Sequence, residues 1–463
     1  MNWRKAIYQL IDRARGIHTQ RYLAEYARAD ATTLDDAPLV ASLRKMLTHG
    51  ATRVPYYQKL LPSGGELASR DPYDILSRLP ILTKDLIRQN FADLKSRDLA
   101  TRRWHENTSG GSTGEPIRLI QDREYAERVA AVALLYSALI GREIGQPEVV
   151  LWGSEKELFT GSRGWKTRLN NWLSNTTYLN AFAMTPERMR AYISELNQRR
   201  PRLILAYAQA IYELALFAER EQLPVAPQHA ILTSAGTLYP FMREKLEQVF
   251  GCAGRVFNRY GSREVGLIAC ERPGYRGLVA SPWTNYIEVV DDAGQPLSPG
   301  EEGEIVVTSL VNYAMPLLRY AIGDRGILGQ PQNGRQILTR VLGRNVDAFV
   351  TADGGLIDGE YFTHLLYYRD WLWKFQVVQK TPRHLVYKLI PTERPCPPAE
   401  LTEIREKSQL VLGIQTTVDF EFVKEIPPSP SGKYRYTISE VPRAANTPAT
   451  VAATSAALET SSH

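Results

Sequence analysis

Residues 108 to 116 read Thr-Ser-Gly-Gly-Ser-Thr-Gly-Glu-Pro, a segment with three glycines and four hydroxyl side chains. Glycines allow backbone N–H groups to approach an anion closely, and Ser and Thr hydroxyls add donors that turn toward phosphate oxygens. A Walker loop continues as Gly-Lys-Ser/Thr into a helix, whereas Gly114 is followed here by Glu115, Pro116 and a β-like run over residues 117–120. The sequence therefore predicts a phosphate-binding loop that joins two strands, and it argues against a P-loop nucleotidase.

The composition indicates a globular protein with a mildly basic surface. The chain has 463 residues, 44% hydrophobic and 23% charged, and a chain of this length is expected to form about two or three domains. The net charge of +6 favours small polyanionic ligands. Because no basic stripe with interleaved aromatic residues occurs, nucleic acid is not expected as a partner.

The cysteines and the first residues predict a cytoplasmic protein. Cys252, Cys270 and Cys396 have no Cys-x-x-Cys spacing, which is typical of a reducing compartment without structural disulfides. No stretch approaches the ~18 uncharged apolar residues of a membrane span, and charges interrupt the amino-terminal apolar residues, so we expect neither stable membrane insertion nor a signal peptide. One apolar face of the first helix suits packing on the protein or contact with a membrane surface. That face comprises Trp3, Ile7, Leu10, Ile11 and Ala14.

Hydrophobic periodicity divides the chain into a large α/β part and a smaller α+β part. Patterns of buried strands at residues 149–152, 203–206 and 229–233 alternate with helical patterns, which predicts a layered α/β domain. Antiparallel strands at 286–290 and 303–309 predict a β subdomain.

The pattern of hydrophobic segments changes near Gly343. The short strand patterns and the one helical pattern that follow predict a small α+β domain. Past Arg443 the chain is mostly Ala, Thr and Ser, a composition typical of a disordered tail. We therefore expect a large amino-terminal domain (1–342), a small carboxyl-terminal domain (343–442) and a disordered tail (443–463).

Four further segments accompany the glycine loop, and together they resemble a known superfamily. They are 258–264 (Asn-Arg-Tyr-Gly-Ser-Arg-Glu), 318–324 (Leu-Arg-Tyr-Ala-Ile-Gly-Asp), 342–347 (Leu-Gly-Arg-Asn-Val-Asp) and 430–435 (Pro-Ser-Gly-Lys-Tyr-Arg). In this order the chain resembles the adenylate-forming enzymes, the acyl-CoA synthetases and ligases that make an acyl-AMP. It is most similar to the phenylacetate-CoA ligase family and its capsular-polysaccharide-biosynthesis branch. Segments 54–57, 79–84 and 375–379 carry this closer likeness.

The resemblance implies a nucleotide site for ATP and a mobile carboxyl-terminal lid on a large adenylation domain. Tyr260 would stack on adenine, Asp324 would accept hydrogen bonds from the ribose hydroxyls, and Glu264 would ligate Mg²⁺, which prefers oxygen ligands. The catalytic residues would be Lys433, a compact charge suited to the α-phosphate, and Arg344. The residues implied to bind ATP or AMP are Thr108, Ser109, Gly110, Gly111, Ser112, Thr113, Gly114, Ser234, Ala235, Gly236, Tyr260, Gly261, Ser262, Arg263, Asp324 and Arg344.

Three positions depart from the pattern of the superfamily. Arg263 stands where Ser or Thr is usual, and arginine suits pairing with a phosphate or a second carboxylate. Residues 234–237 replace the usual Gly-Ala-Glu-Pro adenine-contact strand, and Val346 replaces an acidic residue at the hinge. These departures leave open whether the geometry for ATP is fully preserved.

The expected acyl pocket draws on Trp152, Tyr207 and Tyr239, a mixture that suits an aryl acid or a polar acid such as a sugar acid. The resemblance implies that a small carboxylic acid is activated by ATP as acyl-AMP and then transferred to coenzyme A. An amine or hydroxyl in polysaccharide biosynthesis is the alternative acceptor, and a degenerate nucleotide-binding protein without ligase activity is the alternative function. The sequence does not define the oligomeric state.

Overall fold

A computed structural model describes residues 2–31, 36–62, 64–108, 117–152, 165–181, 184–236, 238–344, 348–353, 356–366, 369, 371–426 and 437–441. Contacts between residues cluster within two units, Met1–Asn345 and Val346–His463. We describe each unit by itself.

Helices dominate the first hundred residues of the first unit. They are α1 (Trp3–Ala14), α2 (Thr19–Asp30), α3 (Ala37–Arg53), α4 (Pro55–Gln58), α5 (Gly64–Ser69), α6 (Pro72–Ser77), α7 (Lys84–Gln89) and a 3₁₀ turn (Leu99–Thr101). The buried face of α3 contains Leu43, Met46 and Leu47, whose spacing predicts a helix. This helix ends before Pro55, because the residue preceding a proline avoids the α conformation.

Helix α1 packs against its own unit and also presents apolar side chains to solvent. Asn2 Nδ2 donates to the carbonyl oxygen of Ile144 at 2.8 Å, and the Trp3 ring centre lies 5.5 Å from that of Trp172. Leu10 is 67% exposed. Among the helices of the described ranges, none combines the length and the apolar content that a bilayer span requires.

A β-hairpin flanks the glycine loop, as the sequence predicts. Strands β1 (Trp104–Thr108) and β2 (Arg118–Asp122) pair antiparallel, with Thr108 opposite Arg118. The loop residues 109–116 lie outside the described residues. After β2, the Asp122 carboxylate accepts a hydrogen bond from the Tyr125 backbone N–H at 2.8 Å and caps α8 (Arg123–Leu139). This hydrogen bond satisfies one of the free N–H groups in the first turn of the helix.

Eleven strands of the described chain form one sheet with a parallel half and an antiparallel half. The strands are β3 (Glu148–Trp152), β4 (Thr176–Asn180), β5 (Leu203–Tyr207), β6 (Ile231–Ser234), β7 (Val256–Ser262), β8 (Gly266–Cys270), β9 (Leu278–Ala280), β10 (Asn285–Val290), β11 (Glu302–Ser309), β12 (Tyr320–Leu328) and β13 (Ile337–Arg344). They lie in the order β10-β11-β12-β13-β9-β8-β7-β6-β5-β3-β4. Strand β7 pairs parallel with β6 and antiparallel with β8, so it belongs to both halves.

Helices cover both faces of the parallel half. Those that follow its strands are α9 (Trp165–Ser174), α10 (Pro186–Arg199), α11 (Ala208–Arg220) and α12 (Pro240–Val249). On one face Ile204 packs in a core with Ile211 of α11, and on the other face its neighbour Leu203 packs in a core with Val132 of α8. Burial on both faces leaves the carboxyl edge of the strands as the place where polar side chains gather.

The second unit is a small α+β structure. Its elements are β14 (Ala348–Val350), β15 (Leu356–Asp358), α13 (Glu360–His364), β16 (Leu372–Thr381), β17 (His384–Pro391), α14 (Pro398–Leu412), β18 (Thr417–Phe422) and β19 (Thr437–Ser439). In its described residues, four strands form a sheet in the order β18-β17-β16-β19. Gly413 follows α14 with φ of 100°, a conformation that favours glycine. The fold class predicted from the sequence is confirmed, whereas the domain limits at 342 and 442 stay predictions.

Candidate functional site

Two of the predicted nucleotide residues meet beside strand β7. The Tyr260 hydroxyl donates to Asp324 Oδ2 at 2.6 Å, although the two residues are 64 positions apart in the chain. Tyr260 lies on β7 and Asp324 on β12, and both side chains are partly exposed. The hydrogen bond orients the phenol ring and places the carboxylate that is predicted to bind the ribose beside the predicted stacking surface.

Gly261 follows Tyr260 at a shift of register in the β7–β8 ladder. A Cβ atom at this position would lie 2.6 Å from the carbonyl oxygen of Gly266, well inside van der Waals contact with a backbone atom. Only glycine therefore allows the two strands to approach this closely. The strand can then turn into Ser262 and Arg263 without losing its pairing to β8.

Glu264, the predicted metal ligand, is 7% exposed. The Tyr320 hydroxyl donates to its Oε1 at 3.3 Å, and in the described part of the chain its Oε2 accepts no hydrogen bond. A partly satisfied carboxylate suits a hard cation. The described residues contain no group of three or more His, Cys, Asp or Glu side chains that could hold a metal. A single protein carboxylate is compatible with Mg²⁺, because this ion commonly takes its other ligands from water and phosphate oxygens.

Gln121 on β2 connects the hairpin to the segment that carries Glu264. Its side chain is 3% exposed, and its Nε2 donates to the carbonyl oxygens of Arg263 at 2.7 Å and Glu264 at 3.3 Å. Its Oε1 accepts a hydrogen bond from Asn107 Nδ2 at 2.9 Å, one residue before the glycine loop begins. The two ends of the candidate phosphate site are therefore fixed to each other through one glutamine, which our sequence reasoning missed.

The predicted acyl-pocket residues Trp152 and Tyr207 lie together at the carboxyl ends of β3 and β5. Their ring centres are 4.2 Å apart with the planes tilted by 44°. Tyr207 is also opposite Ser234 in the ladder between β5 and β6. After Ser234 the backbone of Ala235 adopts φ of 56°, a left-handed conformation uncommon for a residue with a side chain. Tyr239 follows as the residue before α12.

Arg259 lies beside a predicted acyl-pocket residue, and sequence reasoning did not single it out. It directly precedes Tyr260 on β7, and its guanidinium carbon lies 5.5 Å from the centre of the Trp152 ring. Burial lowers the pKa of this guanidinium, because desolvation disfavours the charged form. The signal available in the sequence was its place inside the conspicuous 258–264 segment.

The predicted catalytic residues and the phosphate-loop residues lie at the ends of strands or outside the described residues. Arg344 ends β13, where its backbone pairs with that of Asp324 in the ladder. Thr108 ends β1 with an exposed side chain. The predictions that lie outside the described residues are Ser109, Gly110, Gly111, Ser112, Thr113, Gly114 and Lys433.

Comparison with known proteins finds relatives and a shared fold. Protein CapK from Staphylococcus aureus is 24% identical over 403 residues, which are 83% of this chain and 85% of that protein. Phenylacetate-coenzyme A ligase from Thermus thermophilus is 28% identical over 305 residues, which are 61% of this chain and 63% of the ligase. The crystal structure of 2-hydroxyisobutyryl-CoA ligase in the postadenylation state superposes with a TM-score of 0.59 at 18% identity, covering 88% of this chain and 89% of that one. The last likeness shows the fold.

Two family models also match. The model described as AMP-binding enzyme matches residues 175–313, a range that contains Tyr260 and Glu264, and the model described as CapK C-terminal domain matches residues 349–440. These matches and relatives confirm the predicted resemblance to the adenylate-forming superfamily, and they support an adenylate-forming ligase.

Strand β7 separates two kinds of surface. On the antiparallel side, Tyr260, Asp324 and Glu264 present a ring and two carboxylates that are held by hydrogen bonds. On the parallel side, Arg259 and Trp152 present a cation and an aromatic face. The first surface suits a nucleotide with its metal ion, and the second suits an organic acid.

Proposed function

We propose that the protein activates a small carboxylic acid with ATP, releases pyrophosphate and transfers the acyl group of the acyl-AMP to coenzyme A. The observation that carries this proposal is the 2.6 Å hydrogen bond between Tyr260 and Asp324. It supports an adenosine site, because it joins a surface for the base to an acceptor for the ribose. Glu264 lies on the same strand-and-turn segment as Tyr260. Its carboxylate supports a role for Mg²⁺ in the first step, the formation of acyl-AMP.

In the first step, a carboxylate oxygen of the acid bonds to the α-phosphorus of ATP while the bond to pyrophosphate breaks. When bound, Mg²⁺ supplies positive charge to the phosphate oxygens. Glu264 would hold it, and Gln121 would keep the backbone of Glu264 in register with the glycine loop. Fixed dipoles and charges of this kind lower a barrier because they need no reorganisation during the reaction. We assign Lys433 and Arg344 to the charge at the α-phosphate.

In the second step, the thiol sulfur of coenzyme A bonds to the acyl carbonyl carbon and its proton passes to solvent. The bond between that carbon and the phosphate oxygen breaks, and AMP leaves with its electrons. The acid would lie near Trp152 and Tyr207, whose rings are in contact. All three described cysteines are free thiols, which supports action in a reducing compartment, and we propose the cytoplasm.

A second acceptor class is favoured by one observation. Residues 349–440 match the CapK C-terminal domain model. We therefore keep an amine or a hydroxyl of a polysaccharide precursor as the alternative acceptor, which would yield an amide or an ester.

The experiment is release of pyrophosphate from ATP and Mg²⁺ across a panel of carboxylic acids. We expect acid-dependent release, and hydroxylamine should trap the adenylate as a hydroxamate. Coenzyme A and amines are then added in parallel reactions, and the product that forms identifies the acceptor. A protein that binds ATP but releases no pyrophosphate with any acid would be the degenerate nucleotide-binding alternative.

A further inference from the structure

Helix α1 turns an apolar face to solvent, whereas an ordinary surface helix directs its apolar face to the core. Trp3, Ile7 and Leu10 recur at intervals of four and three residues, so they share one face. Their exposed fractions range from 39% for Ile7 to 67% for Leu10. Trp172 of α9 is also exposed and extends this face, because its ring centre lies 5.5 Å from that of Trp3. We call these four side chains the α1 patch.

Polar groups attach the opposite side of α1 to the protein. The Asn2 side chain donates to the carbonyl oxygen of Ile144, Lys5 Nζ pairs with Glu143 at 2.9 Å, and Asp12 is buried. These contacts fix the rotation of the helix about its axis. The α1 patch is therefore exposed on a helix that already packs on its own unit.

Positive charge borders the α1 patch. Helix α1 and the turn after it (residues 2–18) contain four Arg or Lys residues and one acidic residue, the buried Asp12. The Arg4 guanidinium lies over the rings of both tryptophans of the patch, 5.3 and 5.0 Å from their centres. Arg13 is exposed in the last turn of the helix. A negatively charged surface is therefore complementary to this part of the molecule.

An anionic lipid bilayer fits these features better than a second copy of the chain. In a two-fold contact between copies the same patch faces itself, so Arg4 and Arg13 would approach cations of the other copy and repel them. A bilayer offers negative head groups and an apolar boundary at which tryptophan is enriched. Helix α1 has 12 residues and is about 18 Å long, a length that suits lying in the surface and not crossing the bilayer.

We propose that the first unit binds reversibly to the surface of an anionic lipid bilayer through the α1 patch. The apolar side chains of the patch enter the boundary between head groups and acyl chains, and Arg4 and Arg13 lie beside the lipid phosphates. Apolar burial and charge attraction add up in such a contact. The inference goes beyond the proposed function and does not depend on it.

The test is co-sedimentation of the full chain with phosphatidylcholine vesicles, prepared with and without phosphatidylglycerol. We expect the wild-type protein to bind the anionic vesicles, and to bind them less tightly as salt is added. Leu10→Gln should weaken this binding on the order of 10-fold, because a leucine no longer enters the apolar boundary. Arg13→Gln should weaken it about 5-fold, and only on the anionic vesicles.

Leu410→Gln and Arg220→Gln are the matched controls. Leu410 is an exposed leucine on α14, and Arg220 is an exposed arginine on α11, so both variants should bind as the wild type does. A wild-type protein that does not sediment with anionic vesicles would overturn the inference. Equal binding by the wild type, Leu10→Gln and Arg13→Gln would overturn it as well. A wild-type dimer that dissociates in Leu10→Gln, without vesicle binding, would assign the patch to a second copy instead.

Discussion

The two sides of strand β7 differ in how their polar groups are satisfied. On the side of the proposed nucleotide site (the nucleotide side), the Tyr260 hydroxyl donates to Asp324 and the Gln121 side chain donates to the backbone of Glu264. On the side of the predicted acyl pocket (the acid side), the Arg259 guanidinium lies near the Trp152 ring, which contacts Tyr207. Hydrogen bonds therefore preorganise the residues proposed to bind the nucleotide, whereas ring contacts hold those proposed to bind the acid.

The largest effect should come from removing the charge of Glu264. Glu264→Gln keeps the volume of the side chain and an acceptor for the Tyr320 hydroxyl, but it removes the negative charge that would hold Mg²⁺. We expect pyrophosphate release to fall on the order of 1000-fold for every acid tested, because one electrostatic contact at the reacting phosphates is lost. Titration with Mg²⁺ should show a raised requirement for the ion.

Glu219→Gln is the control for this change, because Glu219 pairs with Lys245 on the helical surface. It should retain wild-type release. Full activity in Glu264→Gln would show that Glu264 does not hold the metal, and the nucleotide site would then have to be sought elsewhere.

The next effect should come from removing the hydrogen bonds by which Gln121 connects the hairpin to the segment that carries Glu264. Gln121→Met removes the donors to Arg263 and Glu264 and the acceptor for Asn107 while keeping an apolar chain of similar length. Misplacing the phosphate site by about 1 Å should lower kcat/KM for ATP on the order of 100-fold. The Glu264 carbonyl oxygen keeps its hydrogen bond from the Tyr125 hydroxyl at 3.3 Å, so the loss of the donor to the Arg263 carbonyl oxygen should account for most of a cost of about 1–3 kcal/mol in the free energy of unfolding.

Gln228→Met separates these two consequences. Gln228 is 5% exposed and its Nε2 donates to the carbonyl oxygen of Ala226, so its loss should cost similar stability without touching the site. Urea denaturation and ATP kinetics on both variants make the comparison. If the two variants lose stability alike and both keep wild-type kinetics, Gln121 is a structural residue only.

A smaller effect is expected at the adenosine end. Tyr260→Phe retains the ring that would stack on adenine but removes the hydroxyl that orients it toward Asp324. We expect KM for ATP to rise about 10-fold, the amount that one hydrogen bond to a charged acceptor contributes. Tyr192→Phe removes a hydroxyl that donates to the carbonyl oxygen of Asn180 and serves as the control. A change in kcat alone would place Tyr260 at the chemical step instead of at the base.

Most of the fold was predictable because local patterns agree with tertiary structure. The alternating strands and helices around residues 149–152 and 203–206 became β3 and β5, and the glycine loop is flanked by paired strands. The contact between Trp152 and Tyr207 follows from this topology, since neighbouring parallel strands end at the same edge. In such cases a short-range signal was enough.

Gln121 and Arg259 could not be found in this way. The hydrogen bonds of Gln121 reach residues 142 and 143 positions away, and nothing in the spacing of a single glutamine announces such partners. Arg259 is distinguished by its contact with the Trp152 ring, which lies more than 100 positions away in the chain and is reached only after folding. Motifs with functional side chains can be recognised in the sequence from their residue types and spacing. The residues that hold those motifs in place through long-range contacts can be recognised only in the folded structure.

The smallest effect concerns the ion pairs of Arg102, which lies just before strand β1 of the hairpin. Arg102 donates to Asp98 at 2.8 Å and to Asp122 at 3.2 Å, which links the 3₁₀ turn to the cap of α8. The hydrogen bonds from Arg102, and to a lesser extent from Ser96, hold the pKa of Asp98 well below its usual range. A carboxyl with a depressed pKa stabilises the folded state above the pKa of the unfolded chain, about 3.9, and loses that contribution as the pH falls toward the folded value.

Asp98→Asn should therefore lower the urea midpoint at neutral pH, and its deficit relative to the wild type should shrink as the pH falls below about 4. Asp74→Asn, which breaks an exposed pair with Arg78, should change the midpoint little at any pH. A constant deficit across the whole range would mean that Asp98 acts through hydrogen-bond geometry and not through its charge. The nucleotide side of β7 would then owe its preorganisation to uncharged contacts such as those of Gln121, and the contrast with the acid side, where the charged Arg259 lies near the Trp152 ring, would become sharper.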